Sequence, residues 1–324
     1  MFKTWLTETL GIKYPIIQGA LQWLARAELA AAVSNAGGLG IIAAGSFPTA
    51  EEFQQEIQKM KSLTDKPFAV NITLMPTRHP INYEEYINVA LEEGVNIIET
   101  SGRSPEPYMA QLKAAKVKTI HKIARVKDAK KAESVGVDAV TIVGFEAGGH
   151  PGMEDVTSLI LIPKAVDSVN IPIIAAGGFG TGRGLVAALA LCAQGILMGT
   201  RFMASQECPL HPNIKELILQ TQEMNTIMIE RSIRNAARVV RTNFALKVLE
   251  LEEQGATVDD LYPLLNGEKC KRSYINGDTN DSILYCGEIA GLIDDVPSVK
   301  EIIDSIISEA QLIGERLRNI GITP

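Results

Sequence analysis

A histidine between glycines is the side chain of this sequence with the clearest chemical use. His150 lies in the segment EAGGHPG, residues 146–152, directly after an apolar run at residues 138–145. A neutral imidazole can take up a proton, and the charged ring can stabilise an anion. Because the flanking glycines favour a loop, we predict a reactive histidine that follows a buried strand. The alternative is a histidine that only hydrogen-bonds the backbone of its own loop.

A lysine inside an apolar run is the second candidate. Lys122 lies in residues 118–124, and a lysine is rarely buried without a partner. Its ammonium group could hold a phosphate or the electron-rich edge of a flavin, and a Schiff base is the less favoured alternative. His121 should point to the opposite face of the strand, which makes it structural. Three further polar side chains at strand ends could bind a planar heterocycle or a neighbouring loop: Gln22, Asn71 and Thr73.

Two glycine turns lie close together in residues 172–202. The apolar run 172–176 ends at Gly177-Gly178, and the run 196–198 ends at Gly199-Thr200. If the two runs are neighbouring parallel strands, both turns lie at the same edge of the sheet. Glycine lets backbone N–H groups face a ligand, and such a pair of turns suits a phosphate. The alternative is that these glycines only turn the chain.

Eight short apolar runs must position these groups. Their spacing of roughly 20–30 residues, with helical segments between them, is typical of repeated strand–helix units. Eight units favour a closed (β/α)8 TIM barrel over an open sheet, and the loops after strands seven and eight of such barrels commonly bind phosphate. The runs span residues 14–19, 39–44, 68–74, 96–102, 118–124, 138–145, 172–176 and 196–198.

The pattern changes after residue 207. We predict a small helical insertion or lid domain at 211–280 and a barrel made of 1–210 and 281–324, with residues 282–294 and 299–318 helical. Residues 75–82, with two prolines, form a candidate lid. Four arginines recur at helical spacing and should share one helix face, either solvated and ion-paired or bordering an anionic site. They are Arg231, Arg234, Arg238 and Arg241.

Composition excludes several classes of function. The 324-residue chain has 31 Lys and Arg against 38 Asp and Glu, so its net charge of −7 argues against nucleic-acid binding. No apolar run is long enough to span a membrane. The four cysteines are far apart and suit neither structural zinc nor disulfides, which favours a cytoplasmic setting. No metal-ligand cluster is visible, and no GxGxxG motif follows the first strand.

Three motifs resemble the nitronate monooxygenase (2-nitropropane dioxygenase-like) family of FMN-dependent TIM-barrel enzymes. They are EAGGHPG at 146–152, PIIAAGGFGTGRG at 172–184 and GILMGTRF at 195–202. Further segments resemble its NAD(P)H:quinone reductase subgroup: 18–23, 35–40, 68–80, 120–122, 232–239 and 285–295. The chain departs from the subgroup at Ala20-Leu21, where Gly-Met is usual, and this concerns the substrate pocket more than FMN binding.

The resemblance implies roles for individual residues. His150 would be the catalytic residue, and the lid would close over NADH or NADPH. The FMN phosphate would be held by Gly177, Gly178, Gly199 and Thr200. The FMN ring would be surrounded by Ala20, Leu21, Gln22, Thr73 and Lys122, with Gly148 and Phe179 also touching the cofactor.

The implied activity is hydride transfer from NAD(P)H to FMN and then to a quinone. One alternative is the oxidation of alkyl nitronates with O2. A second is FMN-dependent enoyl-ACP reduction, which the lid and the helical insertion fit less well. A phosphosugar lyase or isomerase barrel and a non-catalytic flavin carrier are more remote. The partner would be a small-molecule substrate, a quinone or a nitronate, and a homo-oligomer is possible.

Overall fold

Eight parallel strands form a barrel in the computed structural model, which describes residues 2–75 and 81–321. Each strand corresponds to one of the eight apolar runs, so the prediction of a (β/α)8 TIM barrel is confirmed. The strands are β1 Ile16–Gln18, β2 Gly40–Ala43, β3 Phe68–Leu74, β4 Ile97–Gly102, β5 Lys118–Ile123, β6 Ala139–Val143, β7 Ile173–Ala176 and β8 Ile196–Met198.

The barrel closes between its first two strands. The strand order is β1-β8-β7-β6-β5-β4-β3-β2, and β1 meets the start of β2 through a parallel bridge between Ile17 and Leu39. Two backbone hydrogen bonds make this junction, from the Gln18 N–H to the Leu39 carbonyl at 3.0 Å and from the Leu39 N–H to the Ile16 carbonyl at 2.9 Å. All eight strand ends therefore meet in one ring.

Side chains of alternate strand residues fill the barrel. The inner core contains Ile41, Ala69, Ile97, Ile120, Ala139 and Ile174. The short helix α1 (Trp5–Thr9) adds Leu6, which is fully buried in the same core. On β3, β4 and β5 the next inward-facing residues toward the carboxyl ends are polar (Asn71, Glu99 and Lys122), and they form part of the candidate site.

Helices surround the barrel on the outside. They are α2 Ala27–Asn35, α3 Ala50–Leu63, α4 Tyr83–Glu92, α5 Met109–Ala114, α6 Val126–Val135, α7 Ser158–Val166, α8 Gly182–Ala190 and α9 Thr200–Met203. The last helix of the chain, here called the C-terminal helix (Val299–Asn319), packs against α2 and α8. A Cβ at Gly182 would lie 2.6 Å from the Ala310 nitrogen, so glycine is what allows this close approach. No helix in residues 2–75 and 81–321 is long and apolar enough to cross a membrane.

The segment 211–280 is not purely helical. It contains α10 Pro212–Gln220, α11 Asn243–Glu253, α12 Val258–Leu265 and α13 Gly267–Asn276, and it also contains an antiparallel pair, β9 Thr226–Ile229 and β10 Ala237–Val240. The C-terminal helix is α14 in this numbering. Residues from β9, β10, α11 and α12 share a small core with Ile283. The proposed domain boundaries at 210 and 281 stay a prediction.

The predicted arginine face of a helix is wrong. Arg238 lies buried in β10, Arg231 and Arg234 lie in the turn before it, and Arg241 follows it. The β-branched residues of β9 and β10 pair across the hairpin. Glu230 and Arg234 have φ angles of +63° and +58°, which no helix can contain.

The predicted helix at 282–294 is also corrected. Tyr285 forms an antiparallel bridge with Val239, and the Val240 N–H donates to the Leu284 carbonyl at 2.8 Å. Only Glu288–Leu292 is helical, as a short 3-10 helix. The extended segment 283–287 therefore lies beside the β9–β10 hairpin and connects this hairpin to the mouth of the barrel.

Candidate active site

The two glycine turns meet at the carboxyl ends of β7 and β8. Ala176 pairs with Leu197, so the turns that follow them are adjacent, as the sequence predicts. Gly177 and Gly178 have φ angles of +94° and +79°, which favour glycine. The N–H groups of Gly177, Gly178, Gly199 and Thr200 donate to no other residue in the described part of the chain. Unpaired N–H groups at one edge can bind a phosphate.

The first glycine turn has little room for side chains. A Cβ at Gly177 would lie 2.7 Å from the Gly144 carbonyl oxygen, and one at Gly178 would lie 3.3 Å from Cβ of Glu146. The Glu146 carboxylate is itself fixed, because it accepts the N–H and the hydroxyl of Ser158 at 3.0 Å. The backbone of this turn therefore faces the mouth of the barrel, and a larger residue would displace it.

Two residues predicted to contact the cofactor use their side chains elsewhere. The Thr200 hydroxyl accepts the Gly287 N–H at 3.0 Å. The ring of Phe179 is buried and faces α8, where its edge lies 3.2 Å from the Cβ position of Gly184. Their backbone N–H groups are what they can offer to a phosphate.

Lys122 has a buried acidic partner inside the barrel. Its Nζ lies 3.4 Å from Oε2 of Glu99, which also accepts a hydrogen bond from the Asn71 amide at 2.6 Å. Glu99 is only 1% exposed, and its Oε1 has no hydrogen-bond partner among the described residues. Thr73 joins the group through its hydroxyl, which bonds the Asn71 amide oxygen at 2.8 Å and the Ser101 hydroxyl at 2.9 Å. We call these five residues the barrel-mouth network.

The network agrees only in part with the sequence analysis. Lys122 and Thr73 are brought together as predicted, and Asn71 is structural. Glu99 was missed, although strand alternation could have found it, because it pairs with Asn71 and lies two residues before Ser101 on the same face. An acidic residue on that face is the natural partner of a lysine that enters the barrel.

His121 is structural, as predicted. It is buried, and its Nδ1 lies 2.8 Å from the Thr100 hydroxyl. Burial lowers the pKa of His121 to about 4, because the charged ring would lose its hydration. The neutral ring therefore belongs to the packing around the barrel and is not part of the mouth.

The loop after β1 lies against the second glycine turn. Leu21 places its Cδ2 3.4 Å from the Cβ position of Gly199, and Ala20 packs on the inner core. Gln22 is exposed, with one long contact of 3.5 Å from its amide to the Gly45 carbonyl. Ala20 and Leu21 therefore form a wall of the mouth, whereas Gln22 remains accessible to a ligand.

His150 is held by the insertion. Its neighbour Gly149 exchanges backbone hydrogen bonds with Arg238 at 3.0 and 2.7 Å, which joins the loop to the hairpin through one antiparallel bridge. The exposed imidazole places Nε2 3.1 Å from the Asn235 amide nitrogen and 3.9 Å from Oε2 of Glu230. The alternative that His150 bonds only its own loop is therefore wrong.

Glu230 and Asn235 lie about 80 residues from His150 in the sequence, and neither was predicted as a site residue. In the sequence they are marked only by the segment 232–239, which resembles the quinone reductase subgroup: Asn235 lies inside it and Glu230 shortly before it. Tyr285 completes the surroundings, with its ring centre 5.6 Å from that of His150. Burial, and to a lesser degree the Glu230 charge, raise the pKa of Tyr285 well above its usual value, so this phenol stays protonated.

Gly148 is required by packing. A Cβ there would lie 2.6 Å from the backbone of Cys286 and Gly287. The predicted contact of Gly148 with a cofactor stays a prediction.

The predicted lid at 75–82 falls mostly on residues 76–80, outside the described residues. At its start, the Tyr83 hydroxyl donates to the Met75 carbonyl at 2.7 Å and accepts the Met75 N–H at 3.1 Å.

The fold and this site define a TIM-barrel enzyme with unpaired backbone N–H groups at one edge of the mouth, an interior charged pair and a histidine at the mouth. A sequence profile described as nitronate monooxygenase matches residues 3–309. The chain belongs to the nitronate monooxygenase family, and it is an oxidoreductase.

Similar proteins carry several activities in their names. A Rhodococcus jostii protein is 33% identical over 95% of this chain and 96% of its own length, and it is named (3aS,4S,5R,7aS)-5-hydroxy-7a-methyl-1-oxo-octahydro-1H-indene-4-carboxyl-CoA dehydrogenase. A Staphylococcus saprophyticus protein named probable nitronate monooxygenase is 33% identical over 97% of this chain and 99% of its own length.

The structure of FabK from Thermotoga maritima resembles this chain over its whole length. It has a TM-score of 0.91 and 38% sequence identity, and the match covers 99% of this chain and 100% of FabK. The match therefore includes the insertion. From the sequence, we expected the insertion to fit an enoyl-ACP reductase less well, but it does not distinguish this chain from FabK. A nitroalkane oxidase from Streptomyces ansochromogenes has a TM-score of 0.81 and 25% identity, covering 96% of this chain and 99% of that one.

Proposed function

We propose that this protein is an FMN-dependent reductase that uses NADH or NADPH to reduce the double bond of a 2-enoyl thioester. The observation that carries the proposal is the full-length likeness to FabK, an enoyl-ACP reductase, at 38% identity. The name of the Rhodococcus jostii relative adds support, because its substrate is also a thioester, of coenzyme A. The proposed hydride acceptor is thus a 2-enoyl thioester, whereas the prediction from the sequence was a quinone.

The residues at the barrel mouth fit FMN. The unpaired N–H groups of Gly177, Gly178, Gly199 and Thr200 would hold its phosphate. Lys122 would lie near the ring, where its charge can stabilise an electron-rich edge. When bound, FMN supplies hydride transfer between the nicotinamide and the acceptor. The FMN ring would also be lined by four residues at the barrel mouth, which are Ala20, Leu21, Gln22 and Thr73.

His150 would donate the proton that the reaction adds to the substrate. Reduction of a 2-enoyl thioester adds a hydride at the β-carbon and a proton at the α-carbon, so NAD(P)H and one proton are consumed for each saturated thioester formed. An exposed imidazole at the mouth can donate that proton and recover it from water. Asn235 holds the ring by Nε2 in the neutral state, which fixes the direction in which it faces.

Nitronate oxidation is the second candidate. The Staphylococcus saprophyticus relative, similar over nearly its whole length, favours it by name. His150 would then act as a base or hold the nitronate anion, and NAD(P)H would play no part. Quinone reduction stays the prediction made from the six segments that resemble the quinone reductase subgroup: 18–23, 35–40, 68–80, 120–122, 232–239 and 285–295.

Steady-state assays with matched acceptors test the proposal. The purified flavoprotein is assayed with NADH and NADPH against crotonyl-CoA and menadione, and separately with ethyl nitronate and O2. We expect the highest kcat/KM for crotonyl-CoA with one of the two nucleotides. Faster menadione turnover with no crotonyl-CoA reduction would return the assignment to quinone reductase. Nitronate-dependent O2 consumption without NAD(P)H turnover would favour the monooxygenase.

A further inference from the structure

A buried carboxylate lies behind His150. Glu230 is 3% exposed, at the end of β9, with a φ of +63°. Its backbone N–H donates to Oε2 of Glu252 at 2.7 Å, which fixes the turn in this unusual conformation. A buried charge is costly unless it is paired or hydrogen-bonded. Its side-chain partners in the described residues are the Asn235 amide, through a short hydrogen bond, and the His150 ring at 3.9 Å.

The hydrogen-bond directions are determined by the Asn235 amide. Its nitrogen contacts both Oε2 of Glu230 and Nε2 of His150, and an amide nitrogen can only donate. The neutral imidazole must therefore accept at Nε2 and carry its proton on Nδ1. When the ring takes a second proton, Nε2–H can no longer accept from Asn235, and the carboxylate of Glu230, with Oε2 3.9 Å from Nε2, faces the charged ring.

We propose that Glu230 and Asn235 are the positioning residues of His150. Asn235 holds the neutral ring and selects the tautomer with the proton on Nδ1, while Glu230 stabilises the charge that the ring carries when it is protonated. The inference rests on the proposed proton-donor role of His150. The two residues act through His150, and neither of them contacts the substrate.

Among residues 2–75 and 81–321, the surroundings leave Glu230 as the charged partner of the ring. Tyr285 faces the imidazole, but its raised pKa keeps it neutral. Arg231, next in the turn, forms an ion pair with Asp155. On the loop of His150 itself, Glu146 accepts hydrogen bonds from Ser158, and Glu154 lies 3.8 Å from Arg125. An opposite charge within about 4–6 Å favours the charged form of a group.

The test separates the two half-reactions in stopped-flow experiments under anaerobic conditions. Glu230→Gln keeps the size of the side chain and removes its charge. We expect reduction of the bound flavin by NAD(P)H to be unchanged, reoxidation by crotonyl-CoA to slow about tenfold, as for the loss of a charged hydrogen bond, and the KM for crotonyl-CoA to stay within about twofold. Glu230→Asp should recover part of the lost rate.

Asn235→Ala gives an independent test if Glu230→Gln does not fold. It should also slow reoxidation alone, because the ring loses its fixed orientation. Glu253→Gln, an exposed position in α11, is the matched control and should leave both half-reactions unchanged. His150→Ala is measured beside them. If it slows reoxidation while Glu230→Gln and Asn235→Ala do not, the positioning role is wrong and the proposed function stands.

A different result would overturn the proton-donor role of His150 and this positioning role together, while the enoyl-thioester reductase assignment would still rest on the acceptor assays. If His150→Ala leaves reoxidation unchanged, His150 donates no proton, and Glu230 and Asn235 then have nothing to position. An equal loss of rate in flavin reduction and reoxidation in Glu230→Gln would mean a general structural defect, which also contradicts a role specific to His150.

Discussion

The ammonium group of Lys122 and the carboxylate of Glu99 lie 3.4 Å apart inside the barrel, on the neighbouring strands β4 and β5. The carboxylate is almost fully buried, and the lysine side chain is 23% exposed toward the mouth. Lys122 therefore presents to a ligand a positive charge that the buried carboxylate of Glu99 already balances from inside the barrel. Changing Glu99 therefore offers a means of adjusting the electrostatic field at the mouth without changing Lys122, the residue of the pair that would touch the ligand.

Glu99→Gln should raise the midpoint potential of bound FMN. It removes the charge that balances Lys122, and an unbalanced positive charge near a flavin favours its reduced form. We expect a rise of about 30 mV or more, equivalent to about 1.4 kcal/mol for a two-electron couple, measured by anaerobic dye titration. Glu51→Gln, at an exposed position of α3, should leave the potential unchanged. An unchanged potential in Glu99→Gln would place the pair away from the flavin.

Gly178→Val should abolish FMN retention. The position has a φ of +79°, and its Cβ would already lie 3.3 Å from Glu146, so a branched side chain must distort the turn that offers the N–H groups. The flavin-to-protein ratio after purification measures the effect. Gly314→Ala, where nothing lies within 4 Å of the added Cβ, is the matched control and should retain FMN. Full FMN content in Gly178→Val would remove this turn from the phosphate site.

His150→Ala should keep FMN and lose turnover. The side chain is exposed, and in the described residues its contacts are with Asn235, Glu230 and Tyr285 and not with the glycine turns, so the cofactor site stays intact. Loss of a general acid typically costs about 100-fold or more in rate, measured as kcat with the preferred acceptor. His211→Asn should behave as the parent protein, because asparagine can replace the ring that caps α10. A normal kcat in His150→Ala would make the residue structural.

Stability should fall between pH 7 and pH 5 through His121. Its folded pKa of about 4 lies below the value of about 6.5 in the unfolded chain, so the unfolded state binds more protons in this range. The loss is about 2 kcal/mol between pH 7 and pH 5, it increases until about pH 4, and it levels off below that. Urea unfolding at pH 7 and pH 5 measures it, and His121→Gln should reduce the difference. Equal pH dependence in both proteins would assign the loss to other groups.

The barrel could be predicted because its signals are local. Each strand is a short apolar run, and the glycines that end β7 and β8 mark both the turns and the edge at which they meet. Alternation along β5 also separates Lys122 from His121 correctly. The cytoplasmic setting, the possible homo-oligomer and the domain boundaries stay predictions.

The insertion could not be predicted in the same way. Arginines at three- and four-residue spacing imitate a helix face, whereas the pairing of β9 with β10 depends on a turn with positive φ at Glu230 and Arg234, which neither residue type signals. The contact of His150 with Asn235 joins residues 85 positions apart. Such contacts follow from the tertiary fold, and no local pattern encodes them.

The most direct test of the account is a single anaerobic titration followed by its absorption spectrum. The yellow protein is bleached with one equivalent of NADH or NADPH, and crotonyl-CoA is then added. We predict that the visible flavin band returns and that one equivalent of butyryl-CoA is formed. A band that the nucleotides fail to bleach, or one that returns with menadione and not with crotonyl-CoA, would contradict the assignment as an enoyl-thioester reductase.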